Sequence, residues 1–351
     1  MSFMSKPTVR HPKLPVNDIG LTVRDYEGGM STLCAGCGHD SVTGALVQAA
    51  FELSIPTHRF AKLSGIGCSS KTPAYFLRDS HGFNSTHGRM PSVATGANSA
   101  NRDLYYIGVS GDGDSLSIGM GQFVHAIRRN INMLYLIENN GVYGLTKGQF
   151  SAAADKGSKA KKGEANLQPP IDPCQTAITL GATFVARGFS GDKDQLVPLL
   201  KAGMKHRGFG LIDIISPCVT FNDHEGSTKS YAYTREHFNL AIAANFVPPV
   251  EEITAKYEEG TSMPVKLHDG STIVLRKIDQ DFDPMDRISA LRNLQENAEA
   301  GEVTTGLLYI DESQPEMHEV DNTTKTPLVD LDYSQVCPGN DTLQKIQSRY
   351  R

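Results

Sequence analysis

Two short segments carry the residues best suited to chemistry: Gly111-Asp112-Gly113-Asp114 and, after one helix and one strand, Asn139-Asn140-Gly141-Val142-Tyr143-Gly144. Each follows a short apolar run of strand type. In neighbouring parallel strands Asp112 and Asn140 therefore reach the same carboxyl edge, where open α/β sheets bind ligands. A carboxylate, an amide oxygen and a nearby backbone carbonyl form a hard-oxygen set that suits Mg²⁺ and leaves part of its octahedron to phosphate oxygens. Gly113 lets the backbone approach a diphosphate, and the helix that follows offers free N–H groups. Singly, Gly-Asp and Asn-Gly turns are common. Their combination in step with two strand ends is what makes them informative. Gly119-x-Gly121 is set aside as a nicotinamide fingerprint, because it lies inside the helix and lacks the third glycine.

The cysteines are the second constellation. Cys34-Ala35-Gly36-Cys37 is a C-x₂-C pair; Cys68 follows the apolar run 60–63, and Cys218 in Ser216-Pro217-Cys218 follows the run 211–215. Cys68 and Cys218 thus emerge at the same sheet edge as Asp112 and Asn140. Four thiolates from separate loops suit either tetrahedral zinc or a [4Fe-4S] cluster, and spacing alone favours neither. Structural zinc more often uses paired C-x₂-C knuckles, and only one pair is present. Cys174 and Cys337 find no partner in the sequence and read as ordinary buried or surface thiols.

The elements that must position these groups are short apolar runs at 60–63, 104–109, 133–137, 183–186 and 211–215, each followed by Gly-rich residues and a helical pattern. Such alternation predicts an α/β fold, a mostly parallel sheet covered by helices on both faces. After Asp112, the residues Leu116, Met120, Phe123, Val124 and Ile127 recur at helical spacing, with Arg128 and Arg129 at the carboxyl end. Another helix starts near Ser41, with Val42, Leu46, Val47, Ala50 and Phe51 on one face and Asp40 as its cap. Residues 150–166, with Lys156, Lys159, Lys161 and Lys162 among Gly and Ser, have no periodicity and read as a mobile surface loop. From about Ser227 the alternation fades, leaving an Asp269-Gly270 hairpin signal and an amphipathic helix near 285–298. The expected division is an extension at 1–27, a cofactor-binding domain at 28–226, and a carboxyl-terminal extension at 227–351 that packs on the core or a partner.

The formal net charge of −5 and the lack of a basic stripe give no footprint for nucleic acid or anionic membrane. Residues 1–15 lack the apolar stretch of a secretory signal, and no apolar run is long enough to span a bilayer, so a cytoplasmic location with reduced thiols is expected.

The Gly111-Asp112-Gly113 and Asn139-Asn140 pair resembles the thiamine-diphosphate motif. A longer ordered series resembles the β subunits of 2-oxoacid:ferredoxin oxidoreductases over about residues 31–224: Cys34-Ala35-Gly36-Cys37-Gly38-His39, Gly65-Ile66-Gly67-Cys68-Ser69-Ser70, His87-Gly88-Arg89, Gly111-Asp112-Gly113-Asp114, Tyr143-Gly144-Leu145-Thr146-Lys147-Gly148-Gln149 and Ser216-Pro217-Cys218. The resemblance implies that Asp112, Asn140 and the Val142 carbonyl hold Mg²⁺. It implies thiamine diphosphate contacts from Ile66, Gly67, Cys68, Ser69, His87, Gly111, Gly113, Asp114, Gly144 and Leu145, and a [4Fe-4S] cluster on Cys34, Cys37, Cys68 and Cys218. The implied reaction is coenzyme A-dependent oxidative decarboxylation of a 2-oxoacid, here 2-oxoglutarate to succinyl-CoA and CO₂, with electrons passed to ferredoxin, and reversible as reductive carboxylation. An α subunit would supply the pyrimidine-binding domain and the activating glutamate, giving an αβ heterodimer or its dimer. His87 and Arg89 are candidates to grip the diphosphate or the substrate; Lys71 and Lys147 are candidates for substrate carboxylates, and a cation at Lys71 favours a dicarboxylate. The series departs after Gln149, where Ser151 and alanines replace the usual Ser-Pro-Thr. Two other readings stay open: a non-oxidative thiamine decarboxylase or synthase subunit with structural zinc, and an electron carrier with a cluster alone, which the Asp112 and Asn140 set argues against.

Overall fold

The computed structural model describes residues 13–158, 165–220, 252–267 and 272–350. Its strands in chain order are β1 (Phe60–Ser64), β2 (His81–Asn84), β3 (Tyr105–Gly111), β4 (Met133–Asn139), the small hairpin β5 (Val142–Tyr143) and β6 (Gln149–Phe150), β7 (Phe184–Phe189), β8 (Phe209–Ile215), β9 (Ser262–Lys266), β10 (Thr272–Lys277) and β11 (Glu302–Ile310). The main sheet has nine strands in the order β2-β1-β3-β4-β8-β7-β11-β10-β9. From β2 to β7 every pairing is parallel; β11 joins β7 antiparallel, β10 runs parallel to β11, and β9 antiparallel to β10. All five apolar runs are strands of this sheet, as their composition requires.

Helices cover both faces: α1 (Gly38–Glu52), α2 (Met90–Ala100), α3 (Met120–Arg128), α4 (Pro173–Leu180), α5 (Lys193–Lys205) and α6 (Arg287–Glu299). β4 shows why both layers are needed. Leu134 and Leu136 pack in one layer with Val42 and Leu46 of α1, Leu196 and Leu200 of α5, and Ile212 and Ile214 of β8. Met133, Tyr135 and Ile137 pack in the other with Met90, Phe123, Ile178 and Leu294. A strand apolar on both pleats has no face to give to water, so it lies mid-sheet.

Several expectations are corrected. The helix expected at Ser41 starts at Gly38 with Cys37 as its N-cap, and Asp40 sits in its first turn, where an acid complements the dipole without capping. The helix expected from Asp112 onward is two pieces: a π-helical turn at Gly113–Ile118, then α3 after a break at Gly119. The break has a cause, since Gly119 packs against the Gly88 backbone, where no side chain fits. The carboxyl-terminal region continues the sheet through β9, β10 and β11, and α6 packs on β11. The Asp269-Gly270 turn lies outside the described residues, while β9 and β10 on either side pair antiparallel. The loop read as mobile is anchored at its start: Ser151 and Ala154 are buried, and Ile171 N–H donates to the Ala152 carbonyl at 2.8 Å. Lys159, Lys161 and Lys162 lie outside the described residues.

A buried ion network ties the far half of the sheet to the end of β4. Arg187 donates from Nε to Asp213 and from Nη2 to Asp172, both at 2.7 Å. Asp172 caps α4 by accepting from the Cys174 and Gln175 N–H groups, and Asp213 accepts from Asn139 Nδ2 at 3.1 Å. Burial pushes the Asp172 carboxyl up, but Arg187 and the two N–H donors outweigh it and hold the group below the usual range. Replacing Arg187 by Met should destabilise the chain by about 3–5 kcal/mol, because two carboxylates are left buried without a cation. Lowering the pH toward about 5 should restore part of the loss, since protonation then removes the stranded charge. Thermal unfolding of both proteins at the two pH values measures this; an unchanged midpoint would show the network to be dispensable.

Candidate active site

Parallel pairing brings four strand ends to one edge. Ser64 lies opposite Val109, Gly111 opposite Glu138, and Asn139 opposite Ile215. Directly beyond them come Gly65 to Cys68, Asp112, Asn140, and Ser216 to Cys218. The amino terminus of α1 meets them from above, with Gly38 N–H donating to the Pro217 carbonyl at 3.4 Å. A Cβ at Gly38 would stand 2.6 Å from Ser216 Oγ and 2.8 Å from Ser190 Oγ, so this approach requires glycine.

Asp112 is almost fully buried. Its Oδ2 accepts a short hydrogen bond from Ser151 Oγ, and its Oδ1 a long one from Asn140 N–H at 3.5 Å. Burial pushes its carboxyl up to about 6, only partly opposed by Ser151 and the backbone donors. Asn140 Oδ1 faces the same turn and accepts from Val142 N–H at 3.1 Å. A buried carboxylate with so little compensation, an amide oxygen and an adjoining carbonyl fit a hard divalent cation. Gly113 permits the close approach next to them: Tyr143 Oη donates to its carbonyl at 2.9 Å, and a Cβ there would lie 2.5 Å from the Tyr143 ring.

Asp114 has a different task. Its buried carboxylate accepts from Gly88 N–H and Ser110 Oγ, each at 2.6 Å, and touches His87 Nδ1. It thereby fixes the His87-Gly88 turn over the strand ends. Gly65 must be glycine for the same reason, because a Cβ would overlap the Asp114 carboxylate.

One cavity of about 80 Å³ follows this edge, lined by residues that include Ile66, Gly67, Cys68, Ser69, His87, Gly111, Asp112, Gly113, Asp114, Asn140, Val142, Gly144 and Leu145. Every cofactor residue expected from the sequence is therefore brought together. Arg89, Lys71 and Lys147 are not in this lining: Arg89 is exposed at the N-cap of α2, Lys147 is exposed in the turn between β5 and β6, and Lys71 is half-buried beyond Cys68. The lining adds His39, Glu138, Tyr143 and Thr146. His39 is buried, its Nδ1 is 2.6 Å from Ser216 Oγ, and burial pushes its imidazole down to about 4, so it is neutral at physiological pH. Glu138 is wholly buried, and desolvation raises its carboxyl well above the usual range. Its signal in the sequence was a lone acid closing an apolar strand; that of Ser151 was its place right after the Gln149 segment.

Cys34 is exposed, Cys37 buried, and Cys68 and Cys218 half-buried. Burial raises the Cys37 thiol, with Glu138 and Cys218 adding to it. Cys68 is raised by burial and then by Cys218 and Cys34, against Lys71. The four thiols are thus near enough to feel one another. Among the described residues no three His, Cys, Asp or Glu side chains converge closely enough to hold a single metal ion. Cys174 is buried in the core, and Cys337 is the C-cap of a short helix at Tyr333–Val336.

Residues 65–214 match the family of thiamine pyrophosphate enzymes, C-terminal TPP-binding domain. The chain is 41% identical over 227 residues to a 2-oxoacid:ferredoxin oxidoreductase subunit beta of Sulfolobus, covering 64% of this chain and 73% of that one. It is 41% identical over 220 residues to the 2-oxoglutarate oxidoreductase subunit KorB of Mycobacterium tuberculosis, covering 60% and 58%. Among solved structures it resembles the 2-oxoglutarate:ferredoxin oxidoreductase of Magnetococcus marinus with 2-oxoglutarate, coenzyme A and succinyl-CoA bound. That match has a TM-score of 0.68 and 29% identity, over 93% of this chain and 96% of that one.

The raised Asp112 carboxyl gives a signed prediction. Between the ordinary aspartate value of about 4 and about 6, the folded chain without metal holds a proton that the unfolded chain has released. Its stability therefore falls as the pH rises through that window, on the order of 3 kcal/mol. Asp112→Asn should flatten this fall and raise the thermal midpoint at pH 7, and should show no further rise on adding Mg²⁺ with thiamine diphosphate, where a rise is expected for the wild type. A variant still stabilised by that addition would remove Asp112 from the metal site.

Proposed function

Because the chain belongs to the 2-oxoacid:ferredoxin oxidoreductase β subunits, we propose that it is the cofactor-bearing half of an enzyme that oxidatively decarboxylates 2-oxoglutarate to succinyl-CoA and CO₂, with ferredoxin as electron acceptor. The observation that carries this reading is the single strand edge on which the Asp112 and Asn140 set meets a loop bearing Cys68, which both lines the cavity and lies beside Cys34 and Cys218. The substrate assignment is supported by the relatives named for 2-oxoglutarate, in Mycobacterium tuberculosis and Methanocaldococcus jannaschii, and by the bound ligands of the Magnetococcus marinus structure.

In this reading Asp112, Asn140 and the Val142 carbonyl hold Mg²⁺, and Gly111, Gly113, Gly144, Ile66, Gly67, Ser69 and Leu145 wall the diphosphate cofactor. Thiamine diphosphate, when bound, supplies the nucleophilic carbon that adds to the keto group and the electron sink that allows CO₂ to leave. Cys34, Cys37, Cys68 and Cys218 would hold a [4Fe-4S] cluster, which would supply one-electron chemistry that zinc lacks. His87, fixed by Asp114, stands at the mouth of the cavity as a polar contact for diphosphate or substrate. A cavity of about 80 Å³ is well below the roughly 300 Å³ of a small-molecule site, in keeping with a second wall from an α subunit that also supplies the activating glutamate. The activity is then a property of the αβ assembly.

Anaerobic purification with the α partner, with visible spectrum and iron content before and after 2-oxoglutarate and coenzyme A, tests this directly. Bleaching of broad iron–sulfur absorption on adding both substrates is the expected result. A colourless protein with stoichiometric zinc would make the cysteines structural and favour a non-oxidative thiamine enzyme. For Lys71, which faces Cys68 rather than the cavity, replacement by Ala should raise KM for 2-oxoglutarate more than for pyruvate if it meets the distal carboxylate; equal changes in the two would leave it a role at the cluster alone.

A further inference from the structure

We infer that Glu138 is a positioning residue that joins the cysteine loops to the cofactor pocket, holding the loops with one carboxyl oxygen and a bound molecule with the other. The inference rests on the proposed activity. Glu138 stands next to the end of β4, two residues before Asn140, and is the only charged side chain of that strand. Its Oε2 accepts from Thr72 Oγ1 at 2.9 Å and lies 3.5 Å from His39 Nδ1. Thr72 follows Cys68 by four residues, so this oxygen holds the Cys68 loop, and it stands beside His39 at the start of α1, two residues after Cys37. Oε1 is buried with no hydrogen-bond partner among the described residues, although Glu138 lines the cavity. Buried polar atoms are almost always paired, and leaving one unpaired is costly. A polar group of the molecule bound in the pocket would complete Oε1. The same side chain then sets the distance between the reacting centre and the thiols, through contacts that come from β4, the Cys68 loop and α1.

The test uses the αβ complex, with thiamine diphosphate and Mg²⁺ as the probe in isothermal titration calorimetry and the cluster midpoint potential followed by electron paramagnetic resonance. Glu138→Leu should weaken thiamine diphosphate binding about tenfold and shift the potential, since both ends of the link are lost. Glu138→Gln, which keeps the outline and one polar atom at each end, should restore both readouts. Wild-type affinity and potential in Glu138→Leu would overturn the inference, as would equal losses in the two variants at full iron content. Should Glu138→Leu fail to assemble, Thr72→Val cuts the loop contact at constant volume, and an unshifted potential there overturns the inference equally. A wild-type complex that binds no thiamine diphosphate or contains no iron would instead overturn the proposed activity.

Discussion

The site depends first on parallel register. β1, β3, β4 and β8 lie side by side, and their pairing places Ser64, Gly111, Asn139 and Ile215 within a residue or two of a common edge. A slip of one residue in β4 would exchange its faces, sending Leu134 and Leu136 into the layer now filled by Met133, Tyr135 and Ile137. The same slip would turn Glu138 from the cavity and carry Asn140 away from Asp112. Core packing and site geometry are therefore one constraint, and the tight two-sided packing of β4 makes the ligand edge rigid.

That rigidity concentrates acids. Asp112, Asp114, Glu138 and Asp213 are all buried at or near the carboxyl ends of β3, β4 and β8, where each meets its desolvation in a different way. Asp213 has Arg187. Asp114 has an N–H, a hydroxyl and an imidazole. Glu138 has a hydroxyl at one oxygen, and burial raises its carboxyl well above the usual range. Asp112 has a serine hydroxyl and one long backbone contact, and its carboxyl stays raised. Asp112 is the acid flanked by Asn140 and Gly113, at the turn proposed to hold the cation. Asn139 donates to Asp213 on the ion-paired side of this edge, and Asn140 stands beside Asp112 on the other.

Much of this was legible in the sequence, because the informative signals are local. Apolar runs of strand length mark the central sheet, and Asp112, Asn140, Cys68 and Cys218 each lie three to five residues beyond one of them. What was not legible depends on contacts between distant residues: His39 meets Ser216 across 177 positions, and Ser151 meets Asp112 across 39. Nor does residue type give direction. Arg89, Lys71 and Lys147 were read as site cations from their charge, yet none enters the cavity lining, and Lys147 occupies a left-handed turn with φ +80°. The Gly119 break escaped notice because the apolar spacing of 116–127 is undisturbed by it; only the close approach of Gly88 shows why the first turn is wide. β2, whose four residues are all exposed, has no pattern to read.

The rim of the cavity argues for how the site is completed. Ile66 and Leu145 line the pocket yet remain 37% and 50% exposed, and Ile118, at the end of the π-helical turn, is 47% exposed. Single exposed apolar residues are ordinary on a protein surface. Here they stand around a small, buried, acidic floor, where water would screen the charges and compete for the metal. Covering that rim would both bury apolar surface and lower the local dielectric, which strengthens every interaction at Asp112 and Asn140. Among the described residues the acids at this edge, Asp112, Asp114 and Glu138, each accept at least one hydrogen bond within the chain. In the proposed αβ assembly, closing this rim would exclude water and complete the pocket in one event.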